Sequence, residues 1–218
     1  MKFLGEPRSG SLAGTTYSRN RNGQYVRNRS TPVNPSSTFQ AAVRSRLGSN
    51  ASAWRALTDG QRAGWTSLGA SITRTDSLGT SYTLTGFQAY CEVNNNNLAA
   101  GNAVVAAAPT LVSPTGLVTA TVTLTNAAFS IAYTATPLGT GERLFAYASP
   151  QRSAGRNFEA DYRLIKVGGA AGASPLAILT EYSARFGTPV TGNRIFMALS
   201  IYKGGFVGAP LLVNQVVA

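Results

Sequence analysis

From Leu117 onward apolar and polar residues alternate. Val118, Ala120, Val122 and Leu124 interleave with Thr119, Thr121 and Thr123, and Phe129, Ile131 and Tyr133 repeat the period. Successive side chains of a strand point to opposite faces, so this period marks strands with one side buried. The turn residues Pro137-Leu-Gly-Thr-Gly141 follow. Further strands are predicted over Arg143 to Ala148, Tyr162 to Val167, Leu176 to Thr180, Arg194 to Tyr202 and Leu211 to Val217. Seven short strands with Gly and Pro turns between them bury their apolar sides by packing on one another. The C-terminal half is therefore expected to be an antiparallel β-sandwich.

That strand count fits an immunoglobulin-like or fibronectin-type-III-like domain over residues 117–218. The single cysteine, Cys91, excludes the inter-sheet disulfide of an antibody-type domain. Upstream the period changes. Ser37-Thr-Phe-Gln40, Thr58-Asp-Gly-Gln61 and Thr85-Gly-Phe-Gln88 each match the capping box, in which a hydroxyl and a glutamine satisfy free backbone N–H groups at a helix start. Phe39, Val43, Leu47, Ala51 and Trp54 then recur at helical spacing, as do Trp65, Leu68 and Ile72 after the second box. Phe39, Trp54 and Trp65 are expected to form the core of a small helical domain, with the two tryptophans meeting there. Ile72 to Thr85 reads as a hairpin around Asp76-Ser-Leu-Gly79. The third helix carries Phe87, Tyr90, Cys91 and Leu98, and is expected to fray at Asn94-Asn-Asn-Asn97 because Asn is a poor interior helix former. The sequence thus predicts an α+β chain with two domains. A basic β-hairpin arm spans residues 1–35, a helical domain 36–102, a linker 103–116 and the sandwich 117–218.

The arm rests on SRNRNGQYVRNRS, Ser18 to Ser30, which holds four arginines and no acid. Asn22-Gly23 is a strong signal for a two-residue hairpin turn, since a type I′ turn needs positive φ at both central positions. Thr15 to Arg21 and Gln24 to Arg29 become the two strands. That turn sets Arg21 opposite Gln24, Arg19 opposite Val26 and Ser18 opposite Arg27, with Arg27 and Arg29 sharing the Tyr25 face. Both faces are cationic and neither is apolar. A lone two-stranded hairpin is marginal in water, so the arm is read as needing a partner, through Arg19, Arg21, Tyr25, Arg27 and Arg29.

The charge of the whole chain agrees. Its formal net charge is +11, and residues 1–76 contribute most of it, with eleven Lys and Arg against three acids. Arginine outnumbers lysine sixteen to three, and its planar fork suits carboxylate or phosphate. Charged residues are only 12% of the chain, about half the usual share, which suits a subunit that buries much surface against neighbours. No secretion signal is read at MKFLGEPRSG, and no apolar run approaches the ~20 residues of a membrane span.

Catalytic chemistry finds few candidates. The absence of histidine removes imidazole bases, Ser-His and Cys-His nucleophiles and imidazole metal sites. Glu159 and Asp161, two residues apart, would share a face if extended but read as solvated charges. Ser200 and Lys203 are spaced like a serine–lysine motif, yet sit at the end of a β pattern rather than at a helix start. No catalytic residue, cofactor or metal site is expected. Nucleic acid is the rival partner. A β-ribbon can enter a major groove, and Arg44, Arg46, Arg55 and Arg62 lie on a helix pair. Gly60 and Gly64, however, interrupt the would-be recognition helix.

The runs GSLAGTTYSRNRNGQYVRNRSTPVNPSSTFQAAVRSRL, AWRALTDGQRAGW and TGFQAYCEVNNNNLAAG resemble proteins encoded in tailed-phage and prophage structural gene clusters. The resemblance covers roughly the first hundred residues. It implies a virion structural protein made in the bacterial cytoplasm, with no catalytic residues. The expected partners are a major capsid protein or other virion subunits, including further copies of the chain, with no membrane partner. Within that class a capsid decoration or cement protein is the first reading, and a neck, tail or fibre-attachment component the second. A basic nucleic-acid-binding or packaging protein is the alternative of a different class.

Overall fold

The computed structural model describes residue 6 and residues 8–20, 23–31, 33–34, 36–76, 78–134 and 137–218. The chain is mixed α/β, with four helices and several antiparallel sheets among the described residues. Its contacts divide it into two compact units, Met1–Arg44 and Ser45–Ala218. The division falls inside the first helix and not at the expected linker, residues 103–116.

The first unit holds a three-stranded antiparallel sheet. β1 (Gly10–Leu12), β2 (Thr15–Asn20) and β3 (Gly23–Asn28) pair in the order β1-β2-β3. The expected hairpin thus gains a third strand. Leu12 pairs with Thr15 across Ala13-Gly14, where Ala13 takes a φ of 50°. An alanine at a left-handed position gives no sequence signal for a turn. The register of the hairpin also differs from expectation. Asn20 faces Gly23, Arg19 faces Gln24, Ser18 faces Tyr25 and Tyr17 faces Val26. Each residue of β2 thus opposes one two places earlier in β3 than predicted, and Gly23 (φ 109°) begins the strand. A shift of two preserves the faces. Tyr17 and Arg19 share one face with Gln24, Val26 and Asn28, and Thr16 and Ser18 share the other with Tyr25 and Arg27. Arg21 and Asn22 lie outside the described residues, as do Pro32 and Pro35.

The first helix, α1 (Thr38–Ala56), begins where the Ser37 hydroxyl accepts from Gln40 N at 3.3 Å. Phe39 is not in a core: it is 57% exposed. Periodic spacing defines an apolar face but does not say whether the chain has anything to cover it. Farther along, Asn50 is buried, and Ala53, Trp54 and Leu57 pack into the helical core of the second unit.

In that unit, α2 (Asp59–Ser71) and α3 (Gly86–Ala99) both begin with complete capping boxes, at Thr58 with Gln61 and Thr85 with Gln88. Between them β4 (Thr73–Thr75) and β5 (Ser81–Thr83) form the expected hairpin, with Asp76 Oδ1 accepting from Leu78 N and Thr80 N. The helices meet closely, since a Cβ on Gly86 would lie 2.9 Å from the Thr66 backbone nitrogen. The two tryptophans are linked through Tyr90, whose ring lies 5.4 Å from Trp54 and 5.1 Å from Trp65.

The remaining strands form two sheets. β6 (Thr119–Leu124), β7 (Phe129–Thr134) and β11 (Leu176–Ala177) run in the order β11-β7-β6. The larger sheet runs β10 (Arg163–Val167), β8 (Glu142–Ala148), β12 (Asn193–Lys203) and β13 (Phe206–Val207), with β9 (Arg152–Ser153) and β14 (Leu211–Val216) also paired to β12. Leu124, Phe129, Ile131 and Tyr133 from the small sheet share one core with Leu144, Ile195, Met197, Leu199 and Ile201 from the large one. The expected strand Leu176 to Thr180 ends at Ala177, and a helix, α4 (Leu179–Phe186), follows it. Its buried Tyr182 donates to Ser149 O at 3.1 Å.

Strand β12 is buried from Ile195 to Tyr202. Its odd-numbered residues face the small sheet. On the other side Tyr202 stacks on Phe145 at 5.2 Å and packs with Ala100, just beyond α3. Residues 103–116 are likewise tied down: Ala106 O accepts from Trp65 Nε1 at 2.7 Å, and Val105, Ala108 and Val112 pack on the helical core.

Candidate functional site

The cationic side chains of the two units differ in what they touch. In the second unit most of them are bonded. Arg62 pairs with Asp59, Arg74 with Glu92, Arg163 with Asp161, Lys166 with Glu181 and Lys203 with Glu142. Arg185 donates to Leu164 O and Arg194 to Arg156 O, both at 2.8 Å. The acids are correspondingly committed, with Asp76 held by its hairpin amides.

Glu159 shows how fully. Its side chain is nearly buried, and its carboxylate accepts from Arg152, from Arg156 at 3.4 Å and from the backbone N–H groups of Ala160 and Asp161. The Arg152 bond, followed by the Asp161 amide, lowers its pKa to about 2 despite burial, which pushes the other way. A carboxylate so held stays ionised, and its lone pairs are used internally. The Arg163 guanidinium lowers the pKa of Asp161 as well. The depression beside Glu159, lined by Phe158, Tyr162 and Phe196 among others, encloses about 120 Å³, below the roughly 300 Å³ where ligand pockets begin. Ser200 and Lys203 lie three apart in β12 and so point to opposite faces. Ser200 is buried and Lys203 bonds Glu142.

The first unit is different. Among the described residues, the side chains of Arg8, Arg19, Arg27 and Arg29 make no hydrogen bond or ion pair, while Arg44 donates to Asn34 Oδ1 at 2.8 Å. Arg29 bonds through its backbone N–H alone, to Gly14 O. No described residue of this unit is buried. Leu12 (68%), Val33 (90%), Phe39 (57%) and Val43 (63%) are exposed. The unit therefore has a sheet, free guanidinium groups and surface apolar side chains, but no core among its described residues.

Of the residues expected to bind a partner, Arg19 lies on the Tyr17–Val26 face, Arg27 shares the opposite face with Tyr25, and Arg29 follows β3. Arg21 lies outside the described residues. Trp54 and Trp65 take their expected place in the helical core, and Phe39 does not. Sequence reasoning missed the row Asn94 to Asn97. Asn94 exchanges hydrogen bonds with Val105, Asn95 accepts from Asn50, Asn96 donates to Gly205 O and Asn97 accepts from Tyr202. Four consecutive residues on a helix point about 100° apart, so each reaches a different neighbour and α3 continues through all four.

Among the described residues no helix is long and apolar enough to cross a membrane. Comparison with protein-family models, curated proteins and solved structures finds no match for this chain.

Proposed function

We propose that this chain is a virion structural protein of a tailed phage, and that its first unit is a cationic arm that clamps neighbouring subunits. A capsid decoration or cement role is the first choice, followed by a neck, tail or fibre-attachment role. The observation that carries the reading is a set of arginines without a side-chain partner among the described residues, Arg8, Arg19, Arg27 and Arg29, on a unit with no buried residue among those described, while every acid of the second unit has a partner within that unit. On this reading their carboxylate partners belong to other subunits. A desolvated, bidentate Arg–carboxylate contact is far stronger than an exposed one, and symmetry repeats it. The resemblance of the first hundred residues to phage structural proteins points the same way.

We further read residues 117–218 as an immunoglobulin-like or fibronectin-type-III-like sandwich. Strands one, two and five of that region lie in one sheet (β6, β7, β11), and strands from β8, β10, β12 and β14 in the other. That division supports the reading.

The test is co-sedimentation of the purified protein with empty shells, with DNA-filled shells and with free DNA, at low and moderate salt. A variant with Ala at Arg19, Arg21, Arg27 and Arg29 is run in parallel. Saturable binding to both kinds of shell, lost in the variant and absent on free DNA, is expected. Salt-sensitive binding to DNA with none to empty shells would overturn the virion reading in favour of DNA packaging.

A further inference from the structure

Building on the proposed clamp, we infer that the free edge of β3 is its receiving edge, and that the occupant is an extended, acidic segment of a partner protein added antiparallel to Gly23–Asn28. Among the described residues β3 pairs with β2 alone, so one of its backbone edges lacks a strand. Natural edge strands are guarded by short length, charged side chains, proline, bulges or covering elements, and of these β3 carries charge alone, at Arg27. This edge has six residues, no proline and no break in its register with β2. The opposite edge, β1, has only three residues and begins at Gly10 with a φ of 105°. It offers half the ladder.

The chemistry of the edge selects the occupant. A strand edge alternates N–H donors and C=O acceptors, and another peptide backbone satisfies both. A phosphate backbone supplies acceptors only. Charge then selects among peptides. Residues 10–36 contain four arginines and no acid. Arg27 is exposed, lies on β3 itself and has no partner among the described residues. A second copy of this sheet would bring cations to cations. In an antiparallel addition, the residue opposite Arg27 shares its face at a Cβ separation of about 5 Å. The residue two places on stands opposite Tyr25, and the one between them opposite Val26. The matching segment reads acid, β-branched residue, large apolar residue.

A cyclic hairpin peptide presenting Thr-Glu-Val-Leu-Thr along its open strand is the probe, with the ordering entropy of the strand already removed. Its counterpart carries Lys in place of Glu. Binding is followed by fluorescence anisotropy and by amide exchange of the full-length protein. The Glu peptide is expected to bind about fivefold more tightly than the Lys peptide, to slow exchange in β3 and to leave β1 unchanged. Arg27→Glu, a change at an exposed side chain with no partner to lose, should reverse the preference. Equal binding of the two peptides, protection on β1 instead of β3, concentration-dependent dimers that protect β3 without peptide, or no binding at about 1 mM peptide would each overturn the inference. Shell binding that fails while the peptide result holds would count against the virion reading alone.

Discussion

A side chain's role here is read from whether its charge is satisfied inside its own unit. Glu159 is at one extreme. Its pKa is lowered to about 2 by Arg152 and the Asp161 and Ala160 amides, from an ordinary value of about 4.5. A depressed carboxylate stabilises the fold above its unfolded value, and that contribution is lost as pH falls through the folded one. Glu159→Gln should therefore melt below wild type at neutral pH. The gap between the two should narrow between about pH 4.5 and 2, as followed by circular dichroism melts across that range. A constant gap would mean that the ionised form is not what matters. Gly205 makes a different residue-scale prediction. Its φ is 94°, and an added Cβ would fall 2.5 Å from Val93 Cγ1. Gly205→Ala should cost about 2 kcal/mol or more in urea unfolding, since both backbone and neighbour resist the methyl.

Among the elements, α3 joins the parts of the second unit. Asn94 donates to the Val105 carbonyl at 3.2 Å, accepts from the Val105 N–H at 2.8 Å, and is itself fully buried. Asn94→Ala strands a buried donor and acceptor and should destabilise by about 1–3 kcal/mol in chemical denaturation. A loss below a few tenths would show that water replaces it. This element also marks the limit of what the sequence could say. Its start at Thr85 was legible, because a capping box is local chemistry. Its continuation through four asparagines was not, because their partners come from β12, the Gly205 turn, residue 105 and α1. The same division runs through the chain. The strands beginning at Thr119 and Phe129 follow from period two. The helix after Ala177 was hidden within a short apolar run that suits either structure. The arm faces were legible from alternation, whereas the turn was placed one residue late because Asn22-Gly23 outweighed the pairing of Asn20 with Gly23. Phe39 was placed in the core because helical spacing alone does not tell a buried face from an exposed one.

At the scale of the whole molecule, the buried residues among those described all lie in the second unit, and the proposed function leaves binding to the first. Among the described residues the second unit holds three hydrophobic clusters, while the first has no buried residue. Replacing Arg19, Arg21, Arg27 and Arg29 together by Ala should leave the melting temperature within about a degree of wild type, since Arg19, Arg27 and Arg29 are exposed and have no side-chain partner among the described residues, and surface substitutions of that kind rarely matter to folding. Arg152→Ala, which removes the strongest of the partners of the buried Glu159 carboxylate, should lower it clearly by scanning calorimetry. The central claim is that the sheet of the first unit is completed by a partner. Its most direct test is amide hydrogen exchange of β2 and β3, measured in the free protein and after saturation with empty shells. A small sheet without a core should exchange fast when free and slow markedly when bound, with the slowing lost in the four-alanine variant. Exchange that is already as slow in the free protein as on the shell would contradict the account.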